Sequence, residues 1–470
     1  MNIFLPTFLL TASAVLAQAP TTFHGYGGDR FGHAIRTGDF NGDGYRDLAI
    51  GAPHETGGNR VDVYFGPTPL PTGGSVHHWA VDVVIRGPAG SECGWSLAVG
   101  DVLGGHGDDL IVGEPSTGGR QGAVHVFAGP LRRGTYDTTT DATLTIHGHA
   151  NGHAGWSVAA GDFDGDGDEE LAIGACAVGT GARTGFGEAY LLDLRRPMLR
   201  PVTTQDGVLF EGVGLTGCAV AALGDVNGDG YEDLGIGSYG ARITSGYGYG
   251  GTAHVVYGRP SFKSRYVLTA PELTGIANLN ASAEWQNVGF AIEPVGDVNQ
   301  DGYADFMVGA PAYSLQTGAS SAYLVLGSRD DASGRPHLFG AQRIDKVADV
   351  IFHERNSGDR IGIAVAGGML VPRLPVLLVG SAAGSAWAFD YQPPPPSGGV
   401  TIGRRLQVSL AGHPRLVEVP GPAGAALGRS LAAFADLDGD GRNDTILGAP
   451  HQIDFTDPAG DGEVWVYRGR

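Results

Sequence analysis

Three cysteines in a chain of 470 residues are too few to build a disulfide scaffold, and their odd number leaves at least one thiol over. Cys93, Cys176 and Cys218 allow one bridge, between Cys176 and Cys218, which fall near the same end of neighbouring sequence units. They equally allow three buried thiols. Basic residues are also scarce: 30 Lys and Arg stand against 50 Asp and Glu, a formal charge of −20. No basic stripe is present to neutralise phosphates, so nucleic acid is not an expected partner. Beyond the N-terminus no apolar run approaches the ~20 residues that cross a bilayer. Catalytic signatures are missing too: no Gly-Lys-Ser/Thr phosphate loop, no nucleophile elbow, no zinc-hydrolase helix and no dinucleotide fingerprint. The run GYGYGG from Gly246 lacks a strand–turn–helix context and reads as a flexible loop. No organic cofactor is expected.

Glycine is abundant, at 80 residues, against a usual share of ~7%. With no collagen-like period, that abundance points to many tight turns. Residues 1–19 are apolar from Ile3 through Leu16 and end in small residues around Ala17 and Ala19. They read as a secretory signal peptide without the usual basic start, broken by Pro6 and too short for an anchor. The expected location is therefore outside the cell or the lumen of the secretory pathway. Asn280, in Asn-Ala-Ser, is a plausible glycosylation acceptor on a loop. Asn443-Asp-Thr445 also matches but lies inside an acidic loop and is expected to be unmodified.

Those acidic loops dominate the rest of the chain. DFNGDGYRD, Asp39 to Asp47, places side-chain oxygens at positions 1, 3, 5 and 9: Asp39, Asn41, Asp43 and Asp47. Hard oxygen donors converging on one point suit Ca²⁺, which accepts six to eight of them in loose geometry. The pattern returns with Asp162, Asp164, Asp166 and Glu170; with Asp225, Asn227, Asp229 and Asp233; with Asp297, Asn299, Asp301 and Asp305; and with Asp436, Asp438, Asp440 and Asp444. DVLGGHGDD, Asp101 to Asp109, keeps its ends and loses its middle oxygens, and Gly367 to Pro375 has no carboxylate. About five structural Ca²⁺ sites are expected, with a doubtful sixth position and a dead seventh.

Aligned on these loops, the chain repeats every ~60 to 72 residues. A unit opens on a Gly/aromatic step such as Phe31-Gly32, Gly94-Trp95, Gly155-Trp156 or Gly289-Phe290. An apolar strand, the acidic loop and a second strand follow, ending in a triplet such as Gly51-Ala52-Pro53, Gly309-Ala310-Pro311 or Gly448-Ala449-Pro450. A variable loop leads to an alternating third strand, such as VDVYFG from Val61, and a fourth closes the unit. Seven such units predict an all-β fold, a seven-bladed β-propeller with four-stranded antiparallel blades. The seventh unit supplies only three strands, so the N-terminal PTTFHGYGG, Pro20 to Gly28, is expected to complete it. Residues 20–470 then form one domain, and the proline run Pro393 to Pro396 is an insertion in blade six.

Phe-Gly, acidic loop and Gly-Ala-Pro in sevenfold register resemble the FG-GAP propeller at the head of integrin α subunits. The resemblance covers essentially the whole chain after residue 19. It implies structural Ca²⁺ loops on a lower face and ligand recognition on the upper face, in the loops between strands two and three and between blades. There the chain offers Tyr239, Arg242, Tyr247, Tyr249 and Trp285 as candidate ligand-binding residues, the last on a long loop running from Thr274 to Asn287. His353, Arg355, Asp359 and Arg360 are the candidates for catalysis, with His353 and Asp359 as an acid–base pair. His147, His149 and His153 lack the spacing and fourth ligand of a zinc site and read as loop histidines.

The calcium loops repeat and the upper loops do not, which favours one distinct pocket for a small molecule or glycan. Similar free-standing fungal propellers include hetero-Diels–Alderases, whose chemistry needs shape and a few donors rather than a nucleophile or cofactor. A pericyclase of secondary metabolism is thus one reading. The others are a glycan-binding lectin and an integrin-like adhesion or recognition module without catalysis.

Overall fold

The computed structural model describes residues 15–16, 18–25, 28–54, 59–68, 70–77, 80–176, 186–195, 202–242, 249–269, 275–312, 320–328, 338–354, 359–371, 374–392, 406–410, 413, 415–420, 427–428, 430–450 and 462–469. Most of the leader, the proline run Pro393 to Pro396, Tyr247 and Arg355 lie outside these residues.

Seven antiparallel sheets follow one another around an axis, each running from an innermost first strand to an outer fourth strand. Blade one is built from Ala34–Gly38, Asp47–Ala52, Arg60–Tyr64 and Val83–Arg86. The second strand of this blade is buried along its whole length, as are Asp109–Glu114, Glu170–Ala175, Asp305–Ala310 and Asp444–Ala449. A strand covered by neighbouring blades on both faces needs apolar residues without alternation. The core accordingly lies between blades. Between blades one and two, Val61, Val63 and Ile85 meet Leu97, Leu110 and Val112.

The repeat glycines make that stacking possible. A methyl group on Gly51 would overlap the carbonyl oxygen of Gly94 in the next blade. The same approach recurs at Gly113 with Gly155, Gly174 with Gly217, Gly237 with Gly289, Gly309 with Gly362, Gly380 with Gly428 and Gly448 with Gly32. The last pair joins blade seven to blade one. The ring is closed as expected: Thr21–His24 pairs antiparallel with Glu463–Tyr467, with Thr22 opposite Trp465.

The blades are larger than the four strands predicted. Six of them gain a short fifth strand, parallel to the fourth, donated by the connection between strands three and four of the following blade. Gly134–Asp137 of blade two lies along Val83–Arg86 of blade one, and Leu406–Ser409 of blade six along Val350–His353 of blade five. Pieces of two to four residues inside variable loops carry no period of their own, so nothing in the sequence marked them. Ile276–Asn280 is a further correction. It is the fourth strand of blade four rather than part of the long loop, paired with Thr252–Val256. Asn280 sits in that strand, half-buried, its Oδ1 accepting from Thr252 Oγ1 at 2.9 Å.

Candidate functional site

On the lower face, each intact acidic loop joins strands one and two. Its second residue is apolar and fully buried (Phe40, Phe163, Val226, Val298 and Leu437), which pins the loop to the core between its exposed acids. Asp39 caps the turn: Oδ1 accepts from the N–H of Gly42 and Asp43 at 2.8 and 3.0 Å, and Oδ2 from Gly44 at 2.9 Å. Gly42 and Gly44 have φ of +75° and +88°, a conformation that costs other residues about 1 kcal/mol or more. Asp47 is buried and takes the N–H of Phe40 at 2.8 Å and of Gly66 at 2.7 Å. The loops also lean on one another, with the rings of Tyr45, Tyr231 and Tyr303 packing against Gly439, Gly165 and Gly228 of the preceding intact loops.

The donor set fits a hard cation. Burial, and after it the neighbouring carboxylates, push Asp47 and Asp444 up to about 7 and Glu170, Asp233 and Asp305 up to about 8, against the pull of backbone N–H groups. A divalent ion would remove that penalty by keeping them ionised. Among the described residues, carboxylate oxygens of Asp162, Asp164 and Glu170 lie within 4.8 Å of one another, as do those of Asp436, Asp438 and Asp444. Blades one, four and five carry Asn41, Asn227 or Asn299 at position three, each donating to the Asp at position five at 2.9 Å.

The two worn positions are filled differently. In blade two the guanidinium of Arg195, from blade three, lies over Gly104, donates to the Asp101 carbonyl at 2.8 Å and pairs with the Asp101 carboxylate at 3.1 Å. A side-chain cation thus occupies this loop. In blade six Ile361–Val371 and Leu374–Ser381 pair as a long hairpin, and the sequence between Ile361 and Ser381 contains no carboxylate.

The upper end of the axis holds a second candidate. In blades one to six the residue after the glycine at the start of strand one faces the axis there, and His33, Trp95, Trp156, Cys218, Phe290 and Ile363, together with Tyr239 from the end of strand two of blade four, line a cavity of about 220 Å³. His33, Trp95 and Trp156 form a continuous arc, with ring centroids 4.4 and 4.8 Å apart, and Tyr239 meets Phe290 at 5.1 Å. The disulfide between Cys176 and Cys218 ties blade three to blade four beside this cavity, and Cys93 is buried and free. Lower in the channel Arg36 of blade one reaches across to Glu293 of blade five at 3.3 Å. Enclosure by protein pushes the Glu293 carboxyl above its ordinary range, and Arg36 opposes that shift.

Of the sequence candidates, Tyr239 lines this vestibule. Trp285 and Tyr249 meet at 5.5 Å, their rings tilted by 57°, on the same face, with Arg242 5.3 Å over the Tyr249 ring, and both aromatics are more than a third exposed. Trp285 adopts φ of +63°. Of the catalytic candidates, Arg355 lies outside the described residues and the other three fall elsewhere. His353 is on the outer strand of blade five, with Nε2 against Gln407, while Asp359 and Arg360 lead into blade six, where the Asp359 carbonyl accepts from Ser381 Oγ. His149 pairs with Glu188 at 2.6 Å and His153 packs edge-on against Trp156. The arc of axial rings escaped sequence reasoning, although its signal was present: it is the single position after the repeat glycine, read across all units.

Seven blades around an axial channel define a β-propeller. The FG-GAP repeat family model matches residues 31–64, 154–192 and 293–325, which fall in blades one, three and five. The chain is an FG-GAP-repeat β-propeller. It is similar to Integrin alpha pat-2 of Caenorhabditis briggsae, 28% identical over 287 residues that cover 59% of this chain and 21% of that one. It is similar also to Integrin alpha-6 of Gallus gallus, 30% identical over 192 residues (39% and 15%). Phosphatidylinositol-glycan-specific phospholipase D of Bos taurus matches at 31% over 176 residues (34% and 20%). The chain thus spans about a fifth of the length of the curated relatives it matches. No helix among the described residues is long and apolar enough to cross a membrane.

Proposed function

We propose that this chain is a secreted recognition propeller, with Ca²⁺ in the lower loops fixing the frame and the axial vestibule receiving a cationic group of its partner. The arc of His33, Trp95 and Trp156, facing Tyr239 and Phe290, carries the reading. Several ring faces around one small cavity suit a guanidinium or ammonium, at about 0.5–2 kcal/mol per ring contact. The formal charge of −20, which five bound Ca²⁺ would bring to about −10, steers such a partner in. The Cys176–Cys218 bridge supports an oxidising compartment, and with it the leader reading of residues 1–19. The ions would be held by the oxygens at positions 1, 3, 5 and 9 of each intact loop and would neutralise them.

Titration with N-acetylarginine amide and with tetramethylammonium, followed by tryptophan fluorescence, tests this. Quenching by both is expected, and it should be lost in the Trp95→Ala/Trp156→Ala double variant. An unresponsive parent protein would overturn the reading. A glycan-binding reading is favoured by a different observation, the exposed Trp285–Tyr249 stack with Arg242, which suits the apolar face of a sugar ring. A glycan array on the parent and on Trp285→Ala separates the two. A cofactor-free cyclase of the hetero-Diels–Alderase type would use the vestibule through its shape. Its volume of about 220 Å³ is below the roughly 300–1,000 Å³ of ordinary small-molecule pockets, which weighs toward recognition of a side chain.

A further inference from the structure

The loop of blade three departs from its counterparts in a way that changes its ligand set. Elsewhere the carboxylate at position nine is satisfied on both oxygens. One takes N–H groups within the loop, and the other takes the N–H of a glycine that follows strand three. These second bonds are Asp47 to Gly66 at 2.7 Å, Asp109 to Gly129 at 3.1 Å, Asp233 to Gly258 at 2.9 Å, Asp305 to Gly327 at 2.8 Å and Asp444 to Gly469 at 2.9 Å. Blade three has Glu170 at this position, and no glycine follows its third strand. After Phe186–Leu192 comes Asp193. Glu170 Oε2 still accepts from Phe163 and Asp164 at 2.9 and 3.3 Å, but Oε1 is buried with no hydrogen-bond partner on a side chain only 3% exposed.

Glu170 groups with Asp162 and Asp164, one carboxylate oxygen of each lying within 4.8 Å of the others, and Asp164 also groups with Asp166 and Asp193. Five carboxylates therefore surround one loop, where blades one, four and five gather three carboxylates and an asparagine. A buried acceptor without a donor costs on the order of 1–3 kcal/mol, more when charged. A cation removes that cost where a glycine N–H does so in the other blades.

We propose that blade three holds the highest-charge cation site of the ring and that Asp193, from outside the loop, is one of its ligands. This rests on the reading that the loops bind cations, and adds a ligand that the loop pattern does not contain. Cation affinity rises with the charge of the ligand set, so this site is expected to fill before the others and to favour a trivalent ion most strongly.

Terbium luminescence tests it, because tyrosine rings pack on three of the loops, that of blade three among them. The Tyr231 ring packs against Gly165 of the blade-three loop, whereas Tyr303 and Tyr45 pack against the loops of blades four and seven. Tyr231 is also position seven of the blade-four loop, so the part of its component that is not shared with Tyr303, which packs on that loop, reports blade three. Asp193→Asn keeps the turn in which Oδ1 accepts from Arg195 N–H at 3.0 Å. It is expected to weaken at least tenfold the part of the Tyr231-dependent component that Tyr303 does not share, and to leave the Tyr45 and Tyr303 components unchanged, with an unaltered circular dichroism spectrum. A titration that superposes on the parent would show that Asp193 is not a ligand. No luminescence from any of the three tyrosines would instead remove the cation reading beneath it.

Discussion

The two ends of the propeller use repetition in opposite ways. On the lower face one chemistry recurs with small losses: an apolar plug, a ring of carboxylates and a buried acid that staples the hairpin. Around the upper axis one position recurs, and its chemistry changes around the described ring, from His33 through the two tryptophans Trp95 and Trp156 to Cys218, Phe290 and Ile363. A position that repeats with constant residues serves the fold in the same way each time, here in five blades. A position that repeats with changing residues builds one asymmetric site from symmetric parts. The lower face also tolerates replacement, since an arginine fills it in blade two and a plain hairpin in blade six.

Removing Ca²⁺ should strike this contrast hardest. At a hundredfold excess over Kd each ion adds about 2.7 kcal/mol, so five independent sites amount to more than about 10 kcal/mol. Calorimetry with and without a strong chelator should show a large fall in Tm. An unchanged Tm would erase the distinction between the two ends. The disulfide beside the vestibule comes next. Opening a loop of 42 residues by Cys176→Ala/Cys218→Ala is expected to cost about 4 kcal/mol in denaturant melts, with Ca²⁺ binding intact.

The loop plug is of similar size. Phe40→Ala should cost about 3–5 kcal/mol, read as a lower urea midpoint with the slope unchanged. A value under about 1 kcal/mol would mean that the carboxylates alone hold the loop.

The wall behind Tyr239 responds to acid. Ser238 Oγ lies 2.9 Å from His254 Nε2, and His254 Nδ1 lies 2.7 Å from Asn278 Oδ1. Burial lowers the His254 pKa to about 4 from an ordinary 6.5. The unfolded chain thus takes up its proton first as pH falls. Stability from this group is whole above pH 6.5, declines toward pH 4 and is then flat, a loss of about 3 kcal/mol. An imidazole titrating near 6.5 in nuclear magnetic resonance spectra would contradict the buried network. The smallest effect belongs to the arc itself: Trp95→Phe should weaken an ammonium probe by about 0.5–1 kcal/mol with no change in Tm.

The lower face was legible because its signal is covalent and local. Asp39, Asn41, Asp43 and Asp47 sit within nine residues, and their spacing implies the turn before any tertiary contact is known. The closing strand was legible for the same reason, since Thr21–His24 reads like other fourth strands. Tyr239 apart, the vestibule assembles from residues roughly 60 to 70 apart whose only common mark is the glycine before them. Tyr239 was selected for its loop and belongs to the site, whereas His353 was selected for its charge and lies on an outer strand. Asp193 carried no motif at all; its place beside Asp164 and Asp166 comes from how strand three ends.

The donated fifth strands bear on how the ring comes apart. Six blades each have their outermost ladder supplied by the blade that follows, so neighbours overlap like roof tiles rather than standing side by side. A tile cannot lift without disturbing the one beneath it, which couples the blades' unfolding beyond what shared apolar walls provide. Blade six is the exception, since Leu416–Pro420 has no such cover among the described residues. Peeling should begin at that edge, and its backbone amides should exchange with solvent ahead of those in Val83–Arg86, which lie under a neighbour's strand.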